Sequence, residues 1–207
     1  MKHSAQTQSS PSHGWLKDIA GIGVFIAAVI FGTVLINTFV FRSFNVEGPS
    51  MESTLFTGDR LIVNRIPVTV SQVQGQLFIP RRGQVIVFKN PHYNGTSDEF
   101  IVKRVIAFSG ERVLLKNGQY TVFNGESPRG FNPDDANNSE PGKPTAGEVD
   151  QIVPKGELFV SGDHRQLDPS GNPYSLDSRN GLGTVPLYEI IGPASIRIFP
   201  FTNVRSF

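Results

Sequence analysis

"FIVKRVIAFSGERVLLKNGQYTVF", residues 100–123, decides the fold class. β-Branched and aromatic residues fill three short runs, FIVKRVIAF, ERVLL and QYTVF, with Gly110 and the Asn117-Gly118 pair between them. Asn-Gly between two alternating runs predicts a two-residue hairpin turn, because both residues tolerate positive φ. Similar segments recur in RLIVNRIPVTV (60–70), GQVIVF (83–88), ELFV (157–160) and ASIRIF (194–199), bounded by Gly, Pro or Asn. This is the pattern of a domain built from many short strands. Beyond the N-terminal region no helical stripe of useful length is found. The fold is therefore read as mainly β: a β-rich domain of short strands and long loops over residues 43–207, preceded by one transmembrane helix.

The helix is read from IAGIGVFIAAVIFGTVLINTFVF, residues 19–41, which carries no charge over about 23 positions. At ~1.5 Å per residue it spans about 34 Å, enough for a bilayer core with some tilt. A cleavable leader would have a shorter apolar region ending in small residues. This run ends in Phe39, Val40 and Phe41, which favours an uncleaved anchor over 18–42. Residues 1–17 form a polar tail, and its shortness orients the N-terminus inward. Lys2, Lys17 and Arg42 flank the span too evenly to add a strong charge bias.

Composition excludes several functions. The 207 residues carry a net charge of +1, and no dense basic patch suggests a nucleic-acid partner. There is no cysteine, so disulfides, thiolate metal sites and cysteine nucleophiles are ruled out. The histidines are His3, His13, His92 and His164, without metal-ligand spacing, so no metal and no cofactor is expected. Asn94-Gly95-Thr96 and Asn137-Asn138-Ser139 match a glycosylation pattern too short to carry weight. Residues 124–151, rich in Pro, Gly and Asn, read as a surface insertion between strands rather than a core element. Residues 166–174, QLDPSGNPY, form a second irregular stretch.

One short stretch soon after the span, NVEGPSMESTL (45–55), holds Ser50 behind Gly48-Pro49. It fails the G-x-S-x-G pattern of a Ser-His-Asp hydrolase. A serine without histidine needs another base. Lysine serves only when an apolar setting lowers its pKa from about 10.4 by several units. Lys103 is the candidate. Period-two alternation places it with Ile101 and Val105 on one strand face, with Arg104 on the other. From this segment alone, a lysine on a solvated strand face is the more ordinary reading.

The ordered set of motifs resembles the type I signal peptidases, membrane-bound Ser-Lys proteases that remove signal peptides from exported proteins. The set comprises the N-terminal span, GPSMESTL (48–55), GDRLIVNR (58–65), FIVKRVIAFSGERV (100–113), and GDHR (162–165) with SLDSRNGLGTVP (175–186). Together they cover residues 15–200. The resemblance implies Ser50 as nucleophile, with its backbone N–H as an oxyanion donor, and Lys103 as general base. It further implies Ser175 as the serine orienting the lysine, Asp177 and Arg179 as supporting residues, and Asp59, Asp163 and Arg165 as structural ones. Val46, Gly48, Met51, Leu55, Ile101 and Val102 match positions lining small pockets for an extended substrate cut after Ala-x-Ala-like residues; for the apolar ones ordinary core packing is an equal reading.

The implied partners are secretory preproteins and the lipid bilayer. The implied location is the bacterial plasma membrane, single-pass, with the N-terminus cytoplasmic and the catalytic domain on the extracytoplasmic side. Gly48 stands where some relatives place a serine that adds an oxyanion donor, and Ser53 where proline is usual. Residues 166–174 lengthen the connection to Ser175, which is placed correctly only if they loop out. The competing reading is a catalytically silent, membrane-tethered binding or assembly protein on the same scaffold.

Overall fold

The computed structural model describes residues 14–96, 98–135 and 144–207. Residues 1–13 of the expected tail, with His3 and His13, lie outside the described residues, as does the Asn137-Asn138-Ser139 triplet. Helix α1, Gly14–Leu35, continues through one π-helical turn, Ile36–Val40. Within it Lys17–Val40 is long and apolar enough to cross a membrane, and none of it is buried against protein. At Phe41 the backbone becomes extended, and the chain passes directly into strand β1, Phe41–Asn45.

All further strand pairings are antiparallel. The other strands are β2 (Arg60–Asn64), β3 (Val85–Lys89), β4 (Phe100–Phe108), β5 (Arg112–Lys116), β6 (Gln119–Phe123), β7 (Val149–Ile152), β8 (Glu157–Ser161), β9 (Val185–Pro186), β10 (Ile190–Phe199) and β11 (Arg205–Ser206). The larger sheet runs β1-β2-β10-β3-β4-β8-β9, with β11 on β10, and the smaller runs β6-β5-β7. The mainly β expectation is met. The β5–β6 hairpin turns through Asn117 (φ 53°) and Gly118 (φ 78°), the conformation that this dipeptide favours.

Two core clusters fill the larger sheet. One packs Ile86, Phe88, Val105, Val160 and Leu182; the other packs Val46, Met51, Leu55, Leu61 and Val63 beneath the first strands. A third, with Tyr120, Val122 and Phe159, joins the smaller sheet to the larger.

Two expectations need correction. IPVTV, read as the end of a strand segment, forms helix α2, Ile66–Val73. Pro67 cannot donate to a strand ladder, and its fixed φ suits the first turn of a helix. Asn64 Oδ1 accepts the Ile66 N–H at 2.9 Å and ends β2 there. The stretch 124–151 is also not wholly superficial. Phe131 bridges Val122 and packs on the third cluster, Asp134 and Thr145 are buried, and β7 begins at Val149. A polar segment can be drawn inward when a buried cation needs its carboxylate, as Arg165 needs Asp134 below.

Candidate active site

Ser50 sits in a tight turn tied by Glu52 N–H to Pro49 O (3.0 Å) and by Thr54 and Leu55 N–H to Met51 O (both 2.8 Å). Gly48 opens this turn at φ +81°, a left-handed conformation that a side chain disfavours. That is a backbone reason for glycine at this position. The Ser50 N–H has no hydrogen-bond partner among the described residues.

Lys103 reaches this turn from β4, which lies between β3 and β8 with Lys103 opposite Ile86. Its Nζ donates to Ser50 Oγ at 2.7 Å across 53 residues of sequence. Lys103 is 3 % exposed. Burial pulls its pKa from 10.5 down to about 8; Asp177, then Asp163, resist this, while Arg179 assists it. Ser50, Lys103, Val46, Ile101 and Val102 line one cavity of ≈ 230 Å³. Met51 (1 % exposed) and Leu55 (0 %) do not line it; they pack in the core below. Gly48 lines a neighbouring depression with Val46 and Phe199.

A polar scaffold stands behind the pair. Asp177 Oδ2 accepts from Ser175 Oγ (2.9 Å), Gly162 N–H (2.9 Å) and Arg179 (2.8 Å), and Oδ1 accepts Arg179 Nε (2.9 Å). Burial raises the Asp177 pKa, but the Arg179 hydrogen bonds and charge outweigh it, so the carboxyl is held below its usual range. Ser175 is fully buried, and its hydroxyl donates to Asp177 rather than to Lys103. Residues 166–174 do loop out, closed by a Leu167–Pro173 bridge and by Ser170 and Asn172 N–H groups on Asp168 Oδ1.

Arg179 also donates to Ala146 O and Arg165 O. Arg165 forks onto Asp134 at 2.6 and 2.8 Å and donates to Gly162 O. Asp163 takes both prongs of Arg104 (2.7 and 2.6 Å), and Asp59 accepts Arg197 and the Phe56 N–H. Asp59 and Asp163 thus hold loops to strands β10 and β4, and Arg165 ties the Asp134 loop to the loop after β8.

Asp177→Ala leaves Arg179 buried without its carboxylate. We expect a loss of about 3–5 kcal/mol, read by urea unfolding. Because the folded pKa is depressed, Asp177 contributes its stability above the ordinary carboxylate range. That stability fades as pH falls through the folded value.

Sequence reasoning passed over His164 and Gly162. His164 N–H donates to Ser50 O (3.1 Å), and its ring lies 3.2 Å from Pro49 O, stacked on Tyr174 at 3.9 Å between centroids. Nothing in the sequence signals this contact between distant turns. Gly162 did carry a signal, as the glycine of GDHR. A Cβ there would collide with Ser175 Oγ and Ser50 O.

The arrangement sets a serine hydroxyl against a buried amine able to be neutral near pH 8, beside an N–H without a partner among the described residues. Residues 16–199 match the family model described as "Signal peptidase, peptidase S26". The chain is 32 % identical over 197 residues to signal peptidase I of Bacillus licheniformis, covering 92 % of this chain and 90 % of the relative. It is 34 % identical over 194 residues to signal peptidase I P of Bacillus subtilis subsp. natto, covering 89 % and 90 %. It is 32 % identical over 185 residues to signal peptidase I T of Bacillus subtilis strain 168, covering 88 % and 86 %. A crystal structure of signal peptidase I from Enterococcus faecalis V583 aligns with a TM-score of 0.40 at 21 % identity, covering 57 % of this chain and 98 % of that one. With the family model spanning nearly the whole length and curated relatives above 30 % identity, the chain belongs to the signal peptidase family, peptidase S26.

Proposed function

We propose that the protein is a membrane-anchored serine endopeptidase that removes signal peptides from exported preproteins after small residues, with Ser50 as nucleophile and Lys103 as general base. The observation that carries this reading is the 2.7 Å contact from Lys103 Nζ to Ser50 Oγ, made by a lysine that burial brings to about 8. Ser50 Oγ attacks the scissile carbonyl while neutral Lys103 takes the hydroxyl proton. The oxyanion is held by the Ser50 N–H. As the C–N bond breaks, the ammonium returns that proton to the leaving amine. Water then attacks the acyl-enzyme and gives a proton to Lys103. As the ester bond to Ser50 Oγ breaks, Lys103 passes that proton to Oγ, and the new carboxylic acid leaves and loses its own proton to solvent.

The supporting residues act through position. Asp177 and Arg179 fix Ser175 and Gly162 behind Ser50, and Asp177 favours the ammonium after proton transfer. Val46, Ile101 and Val102 form cavity walls suited to small apolar side chains, and Gly48 opens the nucleophile turn beside them. Met51 and Leu55 back the turn from the core. Residues 18–42 anchor the chain in the plasma membrane, with residues 1–17 in the cytoplasm and the catalytic domain, residues 43–207, on the extracytoplasmic side. Ser50 follows the span by about nine residues, so the nucleophile stays near the bilayer surface where a signal peptide ends.

The test is to incubate the full chain in detergent with a secretory precursor and to sequence the new N-terminus. Cleavage after a small residue at the signal boundary is expected. An uncut precursor would instead favour the silent, membrane-tethered scaffold.

A further inference from the structure

Helix α2 carries an apolar stripe turned outward. Ile66 (44 % exposed), Val70 (47 %) and Val73 (85 %) recur at the i, i+4, i+7 spacing of one helical face. Leu77 and Ile79, both exposed, follow it. From Ile66 to Pro80 the sequence has no charged residue; Arg65 precedes the stretch and Arg81 follows it. The helix lies where the apolar span ends. Arg65 N–H donates to Val40 O at 2.8 Å, and Thr69 Oγ1 donates to Phe39 O at 2.9 Å.

The cations beside this stripe lack acids. Arg65 Nε is buried with no hydrogen-bond partner. Burial, and then the charge of Arg42, lower the Arg65 pKa. Arg42 rests on the rings of Phe44 and Phe100, at 5.0 and 4.4 Å from their centroids. No ion pair engages Arg42, Arg65 or Arg81 among the described residues. An anion between Arg42 and Arg65 would relieve their mutual repulsion.

We propose that α2 and the following segment to Ile79 lie in the bilayer interface as a second, non-spanning anchor, with Arg42, Arg65 and Arg81 binding the phosphodiesters of anionic phospholipids. An apolar face flanked by cations fits that surface. A second copy of the chain fits it poorly, since a two-fold contact through this face would set the unpaired arginines against their own counterparts. The consequence for the enzyme is a fixed orientation: one span alone lets the catalytic domain swivel, whereas a second contact does not. The inference rests on the membrane-anchored reading above.

The test uses the full chain, in which Trp15 is the single tryptophan. Trp15→Phe combined with Val73→Trp moves that reporter onto the stripe, in vesicles of phosphatidylcholine alone or mixed equally with phosphatidylglycerol. Strong quenching by lipids brominated near the headgroup, with weak quenching by acrylamide, is expected. Quenching by acrylamide alone, in protein that floats with the vesicles, overturns the proposal. So does shielding from both quenchers, which would mean a protein contact. Native mass spectrometry from mixed-lipid micelles reads the charge. Preferential retention of phosphatidylglycerol should fall about fivefold for each of Arg65→Gln and Arg81→Gln. Equal retention of both lipids by the parent, or displacement of the lipid by inorganic phosphate at matched concentration, overturns the lipid assignment. Ser50→Ala in the reporter background should keep the quenching while losing cleavage, so failure of the anchor and failure of the peptidase reading are told apart.

Discussion

Lys103→Met gives a protein that no longer cleaves a preprotein and yet unfolds at a higher temperature than its parent. The two halves of this expectation share one cause. A base contributes about 10²–10⁴ in rate. Where nucleophile and base work as a unit, losing either costs about as much as losing both. Ser50→Ala, Lys103→Met and the double variant should therefore fall to one common floor, at least ~10³ below the parent in kcat/KM. If the single losses multiplied in the double variant, the pair would not be acting as a unit.

The stability half follows from burial. The folded lysine titrates at about 8 and the unfolded one at 10.5. Between those values the unfolded chain binds more protons, so stability rises with pH across that window. Below pH 8 both states are protonated, and the folded state carries the full cost of a buried charge, on the order of 3 kcal/mol. Methionine fills similar volume without that charge. A rise in melting temperature of roughly 5 °C at neutral pH is expected, shrinking toward pH 10. An unchanged or lower melting temperature at pH 7 would show that the folded site holds the ammonium without net cost, against a lysine pulled down to about 8. The same pKa sets the activity profile. Only the neutral amine accepts a proton, so kcat/KM should climb tenfold per pH unit below 8 and level off above it.

Gly162→Ala, one methyl group, should abolish most activity without touching a reacting atom. The added Cβ meets Ser175 Oγ on one side and the Ser50 carbonyl oxygen on the other. Ser175 is fixed by Asp177, and the Ser50 carbonyl by the His164 N–H, so the strand must yield. The Gly162 N–H to Asp177 bond and the Ser50 turn then shift together. A displacement approaching 1 Å costs about 10² in rate, and overpacking costs about 1–3 kcal/mol in stability. Circular dichroism should remain that of a folded β domain, while cleavage falls by two orders of magnitude. Parent-like cleavage would mean that the turn absorbs the methyl elsewhere.

Much of the fold was legible because β2, β5 and β6 alternate buried and more exposed positions, while β3, β4 and β8, largely buried on both faces, read as near-continuous apolar runs rich in β-branched and aromatic residues. Lys103 could be placed on a strand face from its neighbours alone, with Ile101 and Val105 beside it. IPVTV misled because β-branched residues suit a strand equally well; the proline at its second position was the overlooked signal. The partners of the buried charges were not legible. Asp134 sits among Pro, Asn and Gly residues typical of exposed loops, and only the folded chain brings it to Arg165, 31 positions away. His164 and Ser50 meet the same way, through a backbone bond that no side-chain pattern encodes.

Strand order carries a consequence for timing. β1 and β2 bear the Ser50 turn, β3 and β4 bear Lys103, and β10 is the strand that joins the two pairs. In chain order it follows every other strand of the larger sheet except β11. Until it pairs, the Ser50 turn and Lys103 sit on two separate pieces of sheet, β1–β2 and β3–β4–β8–β9, and the 2.7 Å contact between them rests on the His164 N–H to Ser50 O bond and the shared core. On the proposed reading of Ser50 and Lys103, the pair is expected to keep its geometry only once β10 has closed the sheet between them.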